Sequence, residues 1–228
     1  MQTLLLSSPD YQTLLLHGLG LTARLFVVSW ILAMLLACLL AGLRSAGGAW
    51  VRALVAGFVE YHRNVPGLVQ IFVWYFGIPQ LLPSGIQGWI NRHDSEFLLS
   101  CVALTLYAAA YMSEDLRSGL RSVGPGQREA ALAIGLSRLQ TLRLVLLPQA
   151  LRAAVPPLVN QTLALFKATS LAMTVGVAEL MNATIRMETE TFRTFEVFTI
   201  ASGCYLVVSW TIMAVGAYAS RRIALARA

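Results

Sequence analysis

Long apolar stretches without charged residues dominate the pattern of this chain. A helix needs about 20 apolar residues to cross the hydrocarbon core of a bilayer, and the uncharged run between Arg24 and Arg44 nearly reaches that length. Together with other stretches of this kind, it predicts about five membrane-spanning helices. The predicted spans are Leu25–Leu43, a second span that starts after Arg52, includes Glu60 and Arg63 and is uncharged over Val65–Phe76, and then Phe97–Ser113, Val155–Ala178 and Val197–Ser220. Between the second and third spans, prolines and glycines indicate a loop over residues 77–94.

The composition agrees with a chain whose main solvent is lipid. Hydrophobic residues make up 57% of the 228 residues and charged residues 12%, and the mean hydropathy is +0.67. Soluble domains carry about 25% charged residues, so an ordinary soluble domain is excluded. We therefore expect a single all-α transmembrane domain over residues 1–228, with its core at about residues 18–217.

The net charge of +6 is better explained by membrane topology than by a nucleic-acid partner. Lysine and arginine concentrate in cytoplasmic loops, and with five spans almost all arginines of the loops fall on one side. The arginines on that side are Arg44, Arg52, Arg117, Arg121, Arg128, Arg138, Arg143, Arg152, Arg221, Arg222 and Arg227. The other side receives Arg92, Arg186 and Arg193. This bias predicts a periplasmic N-terminus and a cytoplasmic C-terminus.

The one sizeable polar segment of the chain covers residues 114–154, between the third and fourth predicted spans. Gly124-Pro125-Gly126 indicates a turn, and an amphipathic helical pattern follows it. Within this pattern Gly135 allows either a sharp turn or a close approach to another surface, and Pro148 predicts the end of a helix. Two alternatives follow: a loop lying on the anionic face of the bilayer, or a docking helix for a cytoplasmic partner.

A motif within this segment favours the docking alternative. A glutamate and two alanines are followed by a glycine and by a Leu-Pro pair, and these residues are Glu129, Ala130, Ala131, Gly135, Leu147 and Pro148. Their spacing resembles the EAA loop of ATP-binding-cassette (ABC) importer permeases, with Val145 where isoleucine is usual. The resemblance implies the ABC type I importer permease fold, in which these residues form a coupling helix that docks into a groove of an ATPase subunit.

Further segments resemble permeases for polar amino acids. They are Arg63–Gln70, Ala110–Glu114 and Asn160–Leu171, the last with Ala168 where the family often has Asp or Asn. Trp74-Tyr75-Phe76-x-x-Pro79 and Leu147-Pro148-Gln149-Ala150 are most similar to glutamate and aspartate permeases. Similar permeases carry glutamine, arginine, histidine or cystine. The resemblance implies an importer of a polar amino acid, foremost glutamate or aspartate, in the bacterial inner membrane.

The resemblance also implies partners for this chain. They are two cytoplasmic ATPase subunits that bind ATP and Mg, a second permease chain that is homologous but different, a periplasmic amino-acid-binding protein and the lipid bilayer. The chain itself is expected to be non-catalytic, without cofactor or metal, because its histidines lack metal-site spacing and a G-x4-G-K-[ST] phosphate loop is absent. An ion-coupled secondary transporter is the alternative class, although such proteins commonly show internal repeats.

Charged residues inside the spans are candidates for the substrate pathway, because each costs ~2.5–3.5 kcal/mol at the centre of a span. Lys167 lies near the middle of the fourth span and Arg63 lies in the second. One hypothesis is that both meet a carboxylate of the substrate, with hydrogen bonds from Asn160, Thr169 and Ser170. The alternative is that they form ion pairs inside the bundle, with Glu60, Glu114 or Glu179.

Overall fold

The computed structural model describes residues 8–225, and this part of the chain is helical without any strand. The helices, numbered in chain order, are α1 Pro9–Ala46, α2 Ala49–Asn64, α3 Gly67–Phe72, α4 Ile78–Leu81, α5 Ser84–Asn91, α6 Ser95–Ser122, α7 Pro125–Ala133, α8 Arg138–Gln140, α9 Leu147–Ala168, α10 Leu180–Thr191 and α11 Thr194–Leu225. Two π-helical turns, Val73–Gly77 and Thr141–Leu146, and a 3-10 turn, Thr169–Val175, extend neighbouring helices without interruption. The predicted all-α class is confirmed; Arg227 lies outside the described residues.

Four helical segments are long and apolar enough to cross a membrane, and the structure differs from the prediction at the second span. The four segments are Pro9–Ala46, Ser95–Ser122, Arg138–Val175 and Thr194–Arg222. The apolar helix at the second predicted span is shorter and covers Gly67–Leu81. Pro66 separates this helix from α2. Proline has no N–H to donate and disfavours the helical conformation of the residue before it, and Val65 is accordingly extended (φ −93°, ψ 130°). The predicted loop over residues 77–94 contains α4 and α5.

Helix α6 is the centre of the bundle. In its most apolar window 56% of the residues are buried, compared with 11% for the fourth and fifth spans. Small residues let its neighbours come close: a Cβ at Gly119 would lie 2.5 Å from the carbonyl oxygen of Ala150 in α9. Only glycine permits this approach. The outer faces of α9 and α11 therefore remain available to lipid or to a partner chain.

Helices α1 and α11 both begin at the same end of the bundle. Leu15 of α1, Leu180 and Met187 of α10, and Val197 of α11 form one apolar cluster there, which we call the α10 end. Helices α6 and α9 are connected through α7 at the opposite end, which we call the loop end. The start of α1 and the end of α11 thus lie at opposite ends. That the loop end is cytoplasmic stays a prediction from the arginine distribution.

Each π-helical turn lies directly before a proline inside a continuous helix. The N–H of Ile78 donates to the Val73 carbonyl, and Pro79 follows; the N–H of Leu147 donates to the Leu142 carbonyl, and Pro148 follows. Proline cannot donate in the α-helical ladder, and the wider π turn relieves the crowding around it. The prediction that Pro148 ends a helix is therefore wrong. Instead, residues 138–175 form one uninterrupted helical segment.

Candidate functional site

The loop end presents a helix-turn-helix element, residues 125–148, which we call the coupling segment. Helix α7 ends at Ala133, and Gly135 adopts a left-handed conformation (φ +88°). The N–H of Leu136 donates to the Ala131 carbonyl (3.1 Å) and the N–H of Gly135 donates to the Leu132 carbonyl (3.0 Å). These two bonds define a Schellman motif, which requires a residue that tolerates positive φ. Gly135 is therefore a turn residue.

The chain resumes its helical course three residues after this turn. The hydroxyl of Ser137 accepts from the Gln140 N–H (3.3 Å), and the Gln140 side chain accepts from the Ser137 N–H (2.8 Å). This reciprocal pair is a capping box, which satisfies two backbone donors that a helix start leaves free. Local hydrogen bonds thus fix both sides of the turn, and α7 is held in a set direction relative to the fourth span.

The predicted coupling residues lie along this segment, with an inner and an outer side. Ala131 is buried against the rest of the segment, whereas Glu129 and Ala130 are exposed. Ile134, at the end of α7, leaves 78% of its surface exposed, and Leu139 beyond the turn is also exposed. The Gln149 amide donates to the Gln127 side chain (3.3 Å), which ties α7 to α9. The result is an apolar tip on a braced helix, a shape suited to insertion into a groove.

Arg63 contacts an aromatic cluster, and the 3-10 turn that follows Lys167 approaches the same cluster. The guanidinium of Arg63 lies 5.5 Å from the Tyr111 ring centre, and the Tyr111 and Tyr107 rings are 5.0 Å apart. Tyr107 and Leu171 both lie 3.7 Å from where a Cβ on Gly67 would be. Leu171 follows Lys167 by one turn, so the helical turn after Lys167 packs near the rings that Arg63 contacts.

Within residues 8–225 neither of these cations forms an ion pair. Both occupy the last turn of a helix, α2 for Arg63 and α9 for Lys167. At the end of α2 the free carbonyls stabilise Arg63, whereas α9 continues into the 3-10 turn and the carbonyls near Lys167 accept from Thr169 and Ser170. Arg63 also gains the ring of Tyr111. The side chain of Lys167 is exposed, so it can meet a solute.

The three residues predicted to form hydrogen bonds with the substrate differ in how far their side chains are exposed. Asn160 is exposed on α9. Ser170 is partly buried, and its hydroxyl donates to the Lys167 carbonyl (2.7 Å). Thr169 is fully buried and its hydroxyl donates to the Phe166 carbonyl (2.7 Å). Thr169 therefore does not reach the surface that Asn160 and Lys167 share.

Glu114, proposed as a partner of the intramembrane cations, pairs with other arginines. Its carboxylate accepts from Arg44 of α1, and Arg117 donates to it from one turn further along α6 (2.6 Å). The pair with Arg44 joins α1 to α6 at the loop end. Glu60, another proposed partner, instead accepts from the Asn64 side chain (3.0 Å). In the described part of the chain neither Arg63 nor Lys167 forms one of the ion pairs that the alternative hypothesis names, although Arg63 lies near enough to Glu114 and Asp115 for an electrostatic interaction.

Gln70 has a structural role that sequence reasoning missed. Its amide donates to the His62 carbonyl (2.9 Å) and to the Val65 carbonyl (2.8 Å), and its side chain is buried. These carbonyls lose their helical partners where Pro66 interrupts the chain, so Gln70 bridges the break between α2 and α3. The signal in the sequence is a glutamine four residues after a proline, within an otherwise apolar run.

Glu179 is the second polar residue whose role the sequence did not indicate. It is fully buried and caps α10 by accepting from the Asn182 N–H (2.9 Å). The hydroxyls of Thr22 (3.2 Å) and Tyr205 (3.3 Å) also donate to it, from α1 and α11. Burial raises the pKa of the Glu179 carboxyl, against the lowering by these hydrogen bonds. Glu179 thus joins three helices at the α10 end and is not a partner of Lys167.

Known proteins resemble this chain along nearly its whole length. The glutamate/aspartate import permease protein GltJ of Escherichia coli K12 is 34% identical over 212 residues, which cover 91% of this chain and 86% of that protein. A probable glutamine ABC transporter permease, GlnP of Bacillus subtilis, is 35% identical over 208 residues, covering 90% and 91%. A solved structure, an amino acid ABC transporter with histidines, superposes with a TM-score of 0.84 at 26% identity and covers 97% of this chain and all of that one.

These likenesses agree with a match to a family over most of the chain. The family of binding-protein-dependent transport system inner membrane components matches residues 25–225. The match includes the coupling segment, the last three long helical segments and the first long segment from residue 25 onward. The resemblance to ABC importer permeases that the EAA-type motif indicates is thereby confirmed, and so is the bacterial inner membrane as location. The chain belongs to the family of binding-protein-dependent transport system inner membrane components.

Proposed function

We propose that this chain is the permease subunit of an ABC importer for a polar amino acid, with glutamate or aspartate as its substrate. The observation that carries the proposal is the coupling segment, in which a Schellman turn and a capping box hold the exposed tip at Ile134. A self-contained carrier has no need for such a tip. The similarity to a glutamate/aspartate permease supports the substrate; the glutamine permease among the relatives makes glutamine the alternative.

The coupling segment is proposed to dock into a cytoplasmic ATPase subunit, of which the complex would hold two. ATP and Mg bind to these subunits, and this chain supplies no catalytic residue. Because residues 138–175 are one helical segment, a displacement of α7 is transmitted along the fourth span. The bond between Gln149 and Gln127 makes α7 and the start of α9 move together. Closure of the ATPase pair would in this way reorient the transport pathway.

The pathway is proposed to run past Arg63 and Lys167. An acidic amino acid carries carboxylates, and the guanidinium of Arg63 and the ammonium of Lys167, which form no ion pair within the described residues, can offer them charge-assisted hydrogen bonds. Asn160 and Ser170, on the same helix as Lys167 or directly after it, can contribute further hydrogen bonds. A second, homologous permease chain would close the pathway from the other side, and α9 has a largely exposed surface for that purpose. A periplasmic binding protein would deliver the amino acid.

The test is ATP hydrolysis by the complex that copurifies with this chain, reconstituted in vesicles. Binding proteins loaded with glutamate, aspartate, glutamine, arginine or histidine are added one at a time. Stimulation by the glutamate- or aspartate-loaded protein supports the full proposal, and stimulation by another loaded protein corrects the substrate. If no ATPase copurifies and an ion gradient drives uptake, the importer proposal is refuted.

A further inference from the structure

Asp115 is a partly buried carboxylate of α6 to which the proposed mechanism gives no role. One of its oxygens, Oδ2, is shielded from solvent and accepts no hydrogen bond within residues 8–225. Nor does Asp115 take part in any ion pair among these residues. A buried charge without partners lowers stability, so a counter-charge is expected close by.

The neighbouring charges of Asp115 differ in what they offer it. Glu114, directly before it in α6, repels it and is itself paired with Arg44 and Arg117. The attraction on Asp115 comes from Arg63, the last-turn cation of α2. The counter-charge of Asp115 therefore lies on another helix, and it is the cation proposed to meet the substrate.

Tyr111 holds Arg63 beside Asp115. The Tyr111 hydroxyl donates to the backbone carbonyl of Arg63 (2.9 Å), and the Arg63 guanidinium lies 5.5 Å from the centre of the Tyr111 ring. Asp115 follows Tyr111 by four residues in α6, so the two side chains are neighbours on one face of the helix. The backbone of Arg63 is thus anchored one helical turn from Asp115. Its side chain is exposed and flexible, so the guanidinium can change partners while the backbone stays in place.

We propose that Asp115 is the internal counter-ion of Arg63 and competes with the carboxylate of the transported amino acid for this guanidinium. Arg63 exchanges between the Tyr111 ring, where this structure places it, and the Asp115 carboxylate. An arginine over an exposed ring and an exposed ion pair are both weak contacts, so neither holds Arg63 permanently. Asp115 thereby limits how tightly Arg63 retains an amino acid and favours its release. Asp115 is a positioning residue in this role, which rests on the proposed function.

The first experiment tests the pair without substrate or ATP, by thermal unfolding of the purified complex. Asp115→Asn is compared in the chain that keeps Arg63 and in Arg63→Gln. Without Arg63 the carboxylate has no counter-charge, so Asp115→Asn should raise the unfolding midpoint. With Arg63 present the same change also removes an attraction, so the two effects should differ by about 2–4 °C. Glu190→Gln, at an exposed carboxylate of α10 that pairs with Arg186 (3.1 Å), should have the same effect in both chains. Equal effects of Asp115→Asn in both chains overturn the proposal.

The second experiment tests the competition, by equilibrium binding of an amino acid to the complex without ATP or binding protein. The amino acid used is the one whose loaded binding protein stimulates ATP hydrolysis. Because every amino acid carries a carboxylate, a substrate other than glutamate or aspartate corrects the proposed function and leaves this test valid.

Removal of the competitor by Asp115→Asn should tighten binding about fivefold, whereas Asp115→Glu, which keeps the charge, should bind as the unmodified chain does. In Arg63→Gln the change Asp115→Asn should have no effect on binding. Unchanged or weaker binding in Asp115→Asn, or an equal gain without Arg63, overturns the competition. The thermal experiment needs no substrate, so it separates a failure of the pair from a failure of the proposed function.

Discussion

Replacement of Gly135 separates two possible reasons for a glycine in the coupling segment. A Cβ at this position would meet no atom of the chain within 4 Å, so the chain has room for any small side chain. The cost of Gly135→Ala comes from the positive φ alone, and it is ~1–2 kcal/mol. A change of that size shifts the equilibrium of the turn about 5- to 30-fold. Asparagine tolerates the left-handed conformation better than alanine.

If the turn is the reason for the glycine, the unmodified chain should be the most active in coupling, Gly135→Asn should come second and Gly135→Ala third. If the glycine instead serves close contact with the ATPase surface, the larger asparagine should be the worse of the two. The assay is the affinity of the ATPase subunit for the purified chain, together with ATP hydrolysis stimulated by the loaded binding protein. Gly126→Ala, inside α7 without positive φ, is the matched control and should retain both activities. An asparagine variant equal to or weaker than alanine refutes the turn argument.

Three further substitutions test other contacts. Gly216→Ala places a Cβ 2.5 Å from the Val159 side chain and should cost ~1–3 kcal/mol of stability in thermal unfolding. Adding Val159→Ala to the same chain should restore most of the lost stability. If the double variant is as unstable as Gly216→Ala alone, this contact is not the cause. Glu179→Ala should lower the stability by ~1 kcal/mol or more, because α10 loses its N-terminal cap. Glu179→Gln should lower it by less, because the amide oxygen of glutamine still accepts from the Asn182 N–H. Equal losses of stability in the two variants would contradict the capping role of Glu179. Lys167→Met should raise the half-saturating concentration in uptake about tenfold or more, as the loss of a charged hydrogen bond predicts, and unchanged uptake would remove its substrate role.

The long spans and the coupling segment were predictable because their signals are local. Uncharged apolar runs correspond to four long helical segments, and a spaced motif located the segment that contains Gly135. Both signals depend on residue types alone. The choice between a turn and a close approach at Gly135 needed the backbone angle, which no residue type specifies.

The prolines and the buried polar residues were less predictable, because their roles depend on tertiary context. Pro79 and Pro148 read as loop and helix-end residues, yet a π turn before each keeps the helix continuous. Gln70 and Glu179 lie in or next to apolar runs. The partners of Gln70 are carbonyls freed by the break at Pro66, and those of Glu179 include hydroxyls distant in sequence. Glutamate is also not among the preferred N-cap residues, so a local rule does not mark Glu179 as a cap.

The shared starting end of α1 and α11 restricts how copies of this chain can be joined. The first described helix starts at the α10 end, and the last one finishes at the loop end. A short peptide linker from the end of one copy to the start of another would have to cross the bilayer. A single-chain tandem therefore needs an added transmembrane helix as its linker, of about 20 apolar residues. Reporter domains fused to the two termini should likewise report from opposite sides of the membrane.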